Sequence, residues 1–181
     1  MGIFLFVFLI FILIFSYIIF PHVNYRVNSF LFDNNSYQVA KSIDAILRSG
    51  FFGQGVFEGN VSEYIPDAHT DFIFAVGSEE FGLVFSFIII SLYLTIGYRL
   101  YFYCVKSDED FQIISIIGMV MILLVQTFIH IASNINLIPT KGMTLPLISY
   151  GGSSLVANCI MMGFILCISK KDIQNIVLQL K

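Results

Sequence analysis

Long apolar runs alternate with short polar connections along the chain. Four runs carry no Asp, Glu, Lys or Arg, namely 3–20, 81–98, 111–138 and 143–169, and each has the roughly 18–20 residues that a helix needs to cross a bilayer. We therefore predict an all-α integral membrane protein with four transmembrane helices in a single membrane domain, residues 1–181. The predicted spans are about 3–20, 72–98, 111–136 and 147–168, and the long loop between the first two covers 21–70.

Composition agrees with this class and excludes a soluble globular domain. Hydrophobic residues make up 57% of the chain, charged residues 12%, and the mean hydropathy is +0.88. The first run lacks a basic leader and a small-residue cleavage site, so we expect a retained span rather than a secretory signal. The three cysteines follow no disulfide or zinc spacing. We expect no organic cofactor and no nucleic-acid partner.

The orientation in the membrane follows from the basic residues of the short connections. They lie after the second and fourth spans: Arg99, Lys106, Lys170, Lys171 and Lys181. The positive-inside rule places both positions in the cytoplasm, and with four spans the N-terminus is cytoplasmic as well. The long loop then lies outside, together with the short connection around Lys141.

The long loop contains a helical pattern followed by a glycine-rich segment. Val39, Ile43, Ile46 and Leu47 recur at helical spacing, and Gly50 follows as a stop signal. The pattern predicts a short amphipathic helix that either lies on the outer membrane surface or packs on neighbouring spans. Glycines at 50, 53, 55 and 59 permit tight turns and close approach to a ligand. This segment is either a phosphate-cradling loop or a flexible turn.

A polar stretch precedes the second span without any spacer. Asp67, His69 and Asp71 lie in IPDAHTDFIFAV (65–76), which then becomes apolar enough to enter a bilayer. An acid at such a border can touch both an aqueous substrate and a lipid-anchored one, so Asp71 is the candidate catalytic residue. The alternative is structural: Thr70 caps a helix, and Asp71 in its first turn interacts with the helix dipole.

Acidic residues dominate the segment between Arg48 and Arg99, where the chain has no other Lys or Arg. They are Glu58, Glu63, Asp67, Asp71, Glu79 and Glu80. Such a stretch repels an anionic lipid unless a cation bridges the two. Carboxylates suit Mg²⁺ or Mn²⁺, with Asp71 and Asp67 as candidate ligands; the alternative is a solvated acidic loop. Because Glu79 and Glu80 fall inside the predicted second span, we expect one of them to face protein.

The third span carries a polar stripe formed by Gln126, His130 and Asn134 at positions i, i+4 and i+8. We expect the stripe to face the bundle interior and either to bond other elements or to line a cavity. His130 is then either a packing residue or a proton carrier. The Pro- and Gly-rich connection around Lys141 predicts a tight re-entry. SYGGSS (149–154) follows and predicts a substrate-facing kink or close helix packing.

Two long strings resemble one family: IPDAHTDFIFAVGSEEFG (65–82) and LIPTKGMTLPLISYGGSS (137–154). In this order and separation they resemble the FtsW/RodA/SpoVE family, the SEDS proteins, which polymerise peptidoglycan strands from lipid II. The second string is most similar to the cell-division member. The resemblance implies a ten-helix fold in which the four spans correspond to helices seven to ten. The chain is then expected to be a fragment, or a piece that works with a separately encoded front half.

The resemblance also implies roles for single residues. The family's essential aspartate falls on Asp71, which would act as general base while undecaprenyl pyrophosphate leaves. Its companion acids fall on Glu63 and on Asp67, where glutamate is usual. The expected substrate-binding residues are Glu63, Asp67, His69, Lys141, Ser149, Gly151, Gly152 and Ser153. Further departures from the family pattern are His130, where asparagine is usual, Asn136, where glycine is usual, and the string GSEE (77–80), where IGEE is common.

The expected partners and location follow from the same resemblance. The substrates are lipid II and the growing glycan strand, and the partners are a class B penicillin-binding transpeptidase and other division proteins. The expected location is the inner membrane of a bacterial cell, with both termini in the cytoplasm. Two other functions stay open: a lipid II flippase, in which the polar stripe lines a path across the membrane, and a non-catalytic scaffold of the division complex. The clustering of acids outside favours the polymerase.

Overall fold

The computed structural model describes residues 2–31, 37–56, 58–59, 64–107 and 109–179, and within these ranges every regular element is a helix. The helices are α1 (Gly2–Ile19), α2 (Pro21–Leu31), α3 (Tyr37–Arg48), α4 (Ile73–Lys106), α5 (Asp110–Asn134) and α6 (Gly152–Gln179). The all-α class predicted from the sequence is therefore confirmed for the described part of the chain.

Among the described residues, three helices are long and apolar enough to cross a membrane: Ile73–Val105 of α4, Asp110–Asn134 of α5 and Gly152–Ser169 of α6. These are the second, third and fourth predicted spans. Where the first span was predicted, α1 is an 18-residue apolar helix, and its crossing of the bilayer stays a prediction. The chain is thus an integral membrane protein by the composition of its helices.

Two helix boundaries differ from the approximate bounds of the predicted spans because the backbone turns where the apolar pattern continues. The helix α5 ends at Asn134 rather than 136, since Asn136 is left-handed with φ of 58°. The helix α6 begins at Gly152 rather than 147, since residues 146–150 form a turn in which Leu147 has φ of 64°. Asn tolerates the left-handed region better than most residues, which suits it to this position.

The core lies between the long helices and continues under the loop. One cluster joins α4 to α5 and the 135–151 connection, through Ile89, Tyr93, Leu123 and Leu145. A second joins the opposite ends of α4, α5 and α6, through Cys104, Ile116, Val120 and Ile165. A third, formed by Ala45, Ile65 and Phe72, packs α3 against the turn that precedes α4. The loop elements are therefore fixed to the membrane helices by apolar contacts.

The loop contains one helix more than the sequence pattern predicted. The helix α2 begins with Pro21, whose fixed φ suits the first helical position, and Tyr17 of α1 donates a 3.1 Å hydrogen bond to Asn28 of α2. The predicted amphipathic helix is present as α3. It packs on neighbouring helices, which was one of the two positions predicted for it. Its buried residues, however, are Val39, Ser42 and Ala45, whereas Leu47 is 77% exposed.

The helix α4 is broken at Gly82, where φ is 82° and ψ is −177°. The segment 49–55 docks at this break and supplies backbone partners there. The four bonds are Gln54 N to Glu79 O (2.9 Å), Gly55 N to Glu80 O (3.1 Å), Leu83 N to Gly50 O (3.1 Å) and Val84 N to Phe51 O (3.4 Å). Residues 49–55 of the glycine-rich segment are therefore docked on α4 by backbone hydrogen bonds and do not form a flexible turn.

The docking requires glycine on both sides because the two backbones nearly touch. A Cβ atom at Gly53 would lie 2.1 Å from Glu80 O, and one at Gly82 would lie 2.3 Å from Phe51 O. Near this break Glu79 is fully buried and Glu80 is half-buried. The expectation that one of the two glutamates faces protein is confirmed.

Candidate functional site

Asp71 lies in the turn 64–72 that leads into α4. The N-cap residue of α4 is Phe72, which makes no side-chain capping bond, so Asp71 precedes the helix and is not in its first turn. The hydroxyl of Thr70 donates to the Asp67 carbonyl at 3.0 Å, and the Asp71 amide donates to the same oxygen at 3.0 Å. The capping explanation of these two residues was therefore wrong.

The side chain of Asp71 lines a small polar pocket of about 170 Å³. The pocket is built where α2, α3, α5, the turn before α4 and the 135–151 connection meet, and its lining residues are Arg26, Gln38, Asp71, Phe72, Ser133, Thr140, Lys141 and Gly142. Arg26 donates to the Thr140 carbonyl at 3.1 Å. A Cβ atom at Gly142 would lie 2.9 Å from a carboxylate oxygen of Asp71, so the connection passes directly against this carboxylate.

The pocket combines a carboxylate of raised pKa with two cationic side chains. Burial raises the pKa of Asp71 above its ordinary value, and the nearby carboxylate of Asp67 raises it further. Because α4 begins two residues later, Asp71 is not in the first turn of the helix, where the helix dipole would lower its pKa. Among the lining residues Arg26 and Lys141 carry two positive charges against the single carboxylate. Asp71 is therefore a stronger base than an ordinary aspartate, and it lines the same pocket as two cations.

A second, larger cavity of about 590 Å³ lies beside the first and shares no lining residue with it. Its walls are mostly apolar, and they are formed by His69, Ile73, Ile148, Ser149, Tyr150, Gly151, Gly152 and Leu155. The amide of Tyr150 donates to the His69 carbonyl at 3.0 Å, which joins the SYGG turn to the turn that carries Asp71. A Cβ atom at Gly152 would meet nothing within 4 Å, so close helix packing does not explain this glycine.

The predicted site residues are thus divided between two cavities. Asp71 and Lys141 line the polar pocket, whereas His69, Ser149, Gly151 and Gly152 line the apolar groove. Asp67 and Ser153 are exposed and line neither cavity. Glu63 lies outside the described residues. In the part of the chain that the structure describes, no group of three His, Cys, Asp or Glu side chains is arranged to hold a metal ion.

The polar stripe of α5 faces the turn before α4 and the 135–151 connection. It bonds these elements, which was one of its two predicted roles. Gln126 donates to the Thr144 carbonyl at 3.0 Å, and Asn134 donates to the Asp71 carbonyl at 3.1 Å. His130 lies 2.7 Å from the Met143 carbonyl through Nδ1. Of the two interpretations of His130, the structure supports the packing residue, since the side chain is fully buried and bonded to backbone.

Arg26 was not among the predicted site residues, yet it lines the pocket. Arg48 instead pairs with Asp44 at 2.9 Å on the exposed face of α3. No local signal distinguishes Arg26 from Arg48, because both are single cations in the long loop. Only the packing of α2 against the connection brings Arg26 to Asp71.

The fold and pocket define an integral membrane protein whose candidate site lies at one end of its spans, between loops. The chain belongs to the FtsW/RodA/SpoVE family, described as cell cycle proteins, whose sequence profile matches residues 1–174.

The chain is similar to several proteins named probable peptidoglycan glycosyltransferase FtsW. The one from Caulobacter vibrioides is 40% identical over 158 residues, covering 86% of this chain and 40% of the relative. The one from Legionella pneumophila is 40% identical over 147 residues, covering 77% and 36%. The one from Buchnera aphidicola of Acyrthosiphon pisum is 43% identical over 138 residues, covering 73% and 34%. The chain spans about two fifths of the length of these relatives.

Proposed function

We propose that this chain carries the catalytic pocket of a peptidoglycan glycosyltransferase that polymerises lipid II during cell division. One observation carries the proposal: a carboxylate of raised pKa lies in a polar pocket with two cations, next to the start of a membrane-spanning helix. The names of the relatives support the same reaction class. Since the family's cavity is formed between both halves of a ten-helix protein, full activity is proposed to need the portion of the relatives outside the matched region.

The proposed reaction is glycosyl transfer between two lipid-linked sugars. A sugar hydroxyl of lipid II forms a new bond to the anomeric carbon of the growing strand, and the bond from that carbon to undecaprenyl pyrophosphate breaks. The hydroxyl proton passes to the carboxylate of Asp71, and the electron pair of the broken bond leaves with the pyrophosphate. The raised pKa of Asp71 improves its proton affinity as a general base.

The pyrophosphate leaving group requires positive charge, and the pocket contains it. Arg26 and Lys141 line the pocket with Asp71, so they are proposed to stabilise the charge that develops on the leaving oxygen. The guanidinium of Arg26 is oriented by its bond to the Thr140 carbonyl, directly before Lys141. Orientation in advance is what makes such charges effective in a transition state.

A divalent cation remains part of the proposal. Mg²⁺ and Mn²⁺ are held by one or two carboxylates together with substrate phosphates, and the neighbouring carboxylates of Asp71 and Asp67 fit that donor set. When bound, such an ion would neutralise charge on the pyrophosphate. Glu63, His69, Ser149, Gly151, Gly152 and Ser153 stay proposed substrate contacts. The groove that four of them line suits an apolar portion of the lipid-linked substrate.

The α5 stripe supports the polymerase over the flippase. A transport path requires polar groups that are free to meet the moving headgroup, whereas Gln126, His130 and Asn134 each bond a backbone carbonyl of the loops that form the pocket. The remaining proposals come from the family. The protein is proposed to lie in the bacterial inner membrane with α1 as a fourth span and cytoplasmic termini, and to work with a class B penicillin-binding transpeptidase and other division proteins.

The test uses a chimera in which this whole chain replaces the matched region of the Caulobacter vibrioides relative. Asp71→Asn is expected to lower strand polymerisation from labelled lipid II by about 10²–10⁴-fold, the usual contribution of a general base, without loss of membrane insertion. The control is Asp44→Asn, which removes the same charge from the exposed face of α3 and should leave polymerisation unchanged. Near-normal glycan strands from Asp71→Asn would end the assignment.

A further inference from the structure

We propose that the α5 stripe, Gln126, His130 and Asn134, is a positioning device that fixes Asp71 and Lys141 relative to each other. The inference rests on the proposed function, because it assigns the stripe a part in the same pocket. None of the three side chains lines the pocket. They act on the reaction only through the backbone segments that carry the two charged groups.

The stripe holds two separate segments from one rigid helix. Asn134 donates to the carbonyl of Asp71 itself. One turn away, His130 bonds the carbonyl of Met143, and one turn further Gln126 donates to the carbonyl of Thr144. Residues four apart lie above one another on the same helix face, so a single face of α5 forms hydrogen bonds to both segments.

The chemistry of each group makes it a donor to a carbonyl. A carbonyl oxygen only accepts hydrogen bonds, so Nδ1 of His130, which faces the Met143 carbonyl, carries a proton. The amide of Asn134 uses both of its protons, one to Asp71 at 3.1 Å and one to the His130 carbonyl at 2.9 Å. The second bond anchors the amide to its own helix. It therefore transmits the rigidity of α5 to the turn before α4.

Burial makes these bonds hard to replace. His130 and Asn134 have no exposed surface, so the carbonyls they bind cannot exchange the side chain for bulk water at little cost. Met143 and Thr144 follow directly after Gly142, whose backbone lies against the Asp71 carboxylate. Release of either carbonyl would therefore let Lys141 and Asp71 drift apart. A displacement of about 1 Å in a catalytic group can lower a rate by about 10²-fold.

His130 offers a pair of variants that separates the donor from the side chain's bulk. The amide nitrogen of asparagine stands close to where Nδ1 of histidine stands, so His130→Asn keeps a donor for Met143, whereas His130→Leu removes it. The matched control is Gln112→Leu. It removes a buried amide from the same helix, and that amide bonds Tyr103 of α4 rather than a loop.

The experiment measures kcat and KM per folded molecule in the chimera. His130→Leu should lower kcat by about tenfold to a hundredfold and change KM by less than about twofold, the pattern of misplaced catalytic groups. His130→Asn should restore kcat to within about threefold of the parent, and Gln112→Leu should keep kcat within about twofold. An unchanged kcat in His130→Leu, or an equal loss in His130→Asn, would overturn the inference.

Hydrogen exchange provides a readout that does not depend on catalysis. Without the His130 donor, the amides of residues 140–145 should exchange about fivefold faster, the factor expected for one net hydrogen bond, and those in Gln112→Leu should not. Equal exchange in both variants would refute the positioning role. If Asp71→Asn polymerises normally, the proposed function fails, and the exchange experiment still decides whether the stripe fixes the two segments.

Discussion

The docking of the glycine-rich segment into the break of α4 makes Gly82→Ala a sensitive test of the fold. At φ of 82° and ψ of −177° the backbone lies in a region that is almost restricted to glycine. The new Cβ atom would lie 2.3 Å from Phe51 O and 2.5 Å from Gly53 N. Both are backbone atoms, so the clash cannot be relieved by the movement of a flexible side chain.

Two terms set the expected magnitude for Gly82→Ala. Backbone strain of this kind costs about 1–3 kcal/mol. Displacing the segment would also endanger four backbone bonds at the break, each worth about 0.5–1.5 kcal/mol net. Losing half of them and accepting the strain gives a destabilisation of about 2–6 kcal/mol, large for a single substitution.

The assay is thermal unfolding of the whole chain in detergent, and the measured quantity is the fraction of protein that stays monodisperse after heating. Two glycine variants divide the effect into its parts. Gly50 has φ of 58°, and a Cβ atom there would meet nothing within 4 Å, so Gly50→Ala should show backbone strain alone, about 1 kcal/mol. Gly118→Ala lies in α5 with open space around it and should be neutral or slightly stabilising. If Gly82→Ala unfolds no earlier than Gly50→Ala, the close contact with the segment is refuted.

Two further predictions concern acid dependence and the support of α5. Because burial and Asp67 both raise the pKa of Asp71, acidification protonates this base at a higher pH than it would an ordinary aspartate. The variant Asp67→Asn should therefore move the acid limb of the kcat/KM profile of the chimera to lower pH. An acid limb that does not move would contradict this explanation. Ser42→Ala removes the 2.8 Å bond from α3 to the Asn134 carbonyl and should destabilise the chain by about 1–3 kcal/mol in thermal unfolding. The exposed Ser91→Ala should change stability by less than about 0.5 kcal/mol, and equal effects of the two serines would contradict the role of this bond.

Much of the fold was predictable because a helix that spans a membrane can be identified from the local composition of the sequence. The spans in α4, α5 and α6 appear as long apolar runs, and the helix α3 appears as a repeat at helical spacing. The boundaries were less accurate, since they depend on left-handed residues such as Asn136 and Leu147. A hydropathy pattern does not report the backbone angle at one position.

The candidate site was predictable in part. Asp71 and Lys141 were both selected, and the structure brings them into one pocket, but Arg26 and the role of the α5 stripe depend on contacts between distant segments. The interval from Arg26 to Thr140 is 114 residues, and that from Asp71 to Asn134 is 63. Helical spacing identifies residues that share a face, and it contains no information about which carbonyl that face will meet.

The sequence by itself determined the membrane class, the position of the long helices and the acidic turn that carries Asp71. Only the tertiary structure decided that the glycine-rich segment docks in a broken helix, that α2 brings a cation to the carboxylate, and that α5 holds both charged segments in place. The physical reason is that apolar runs and helical repeats are local properties of a chain. Pairing of backbone groups is a property of the packed molecule, in which each buried donor and acceptor must find its partner wherever the fold places it.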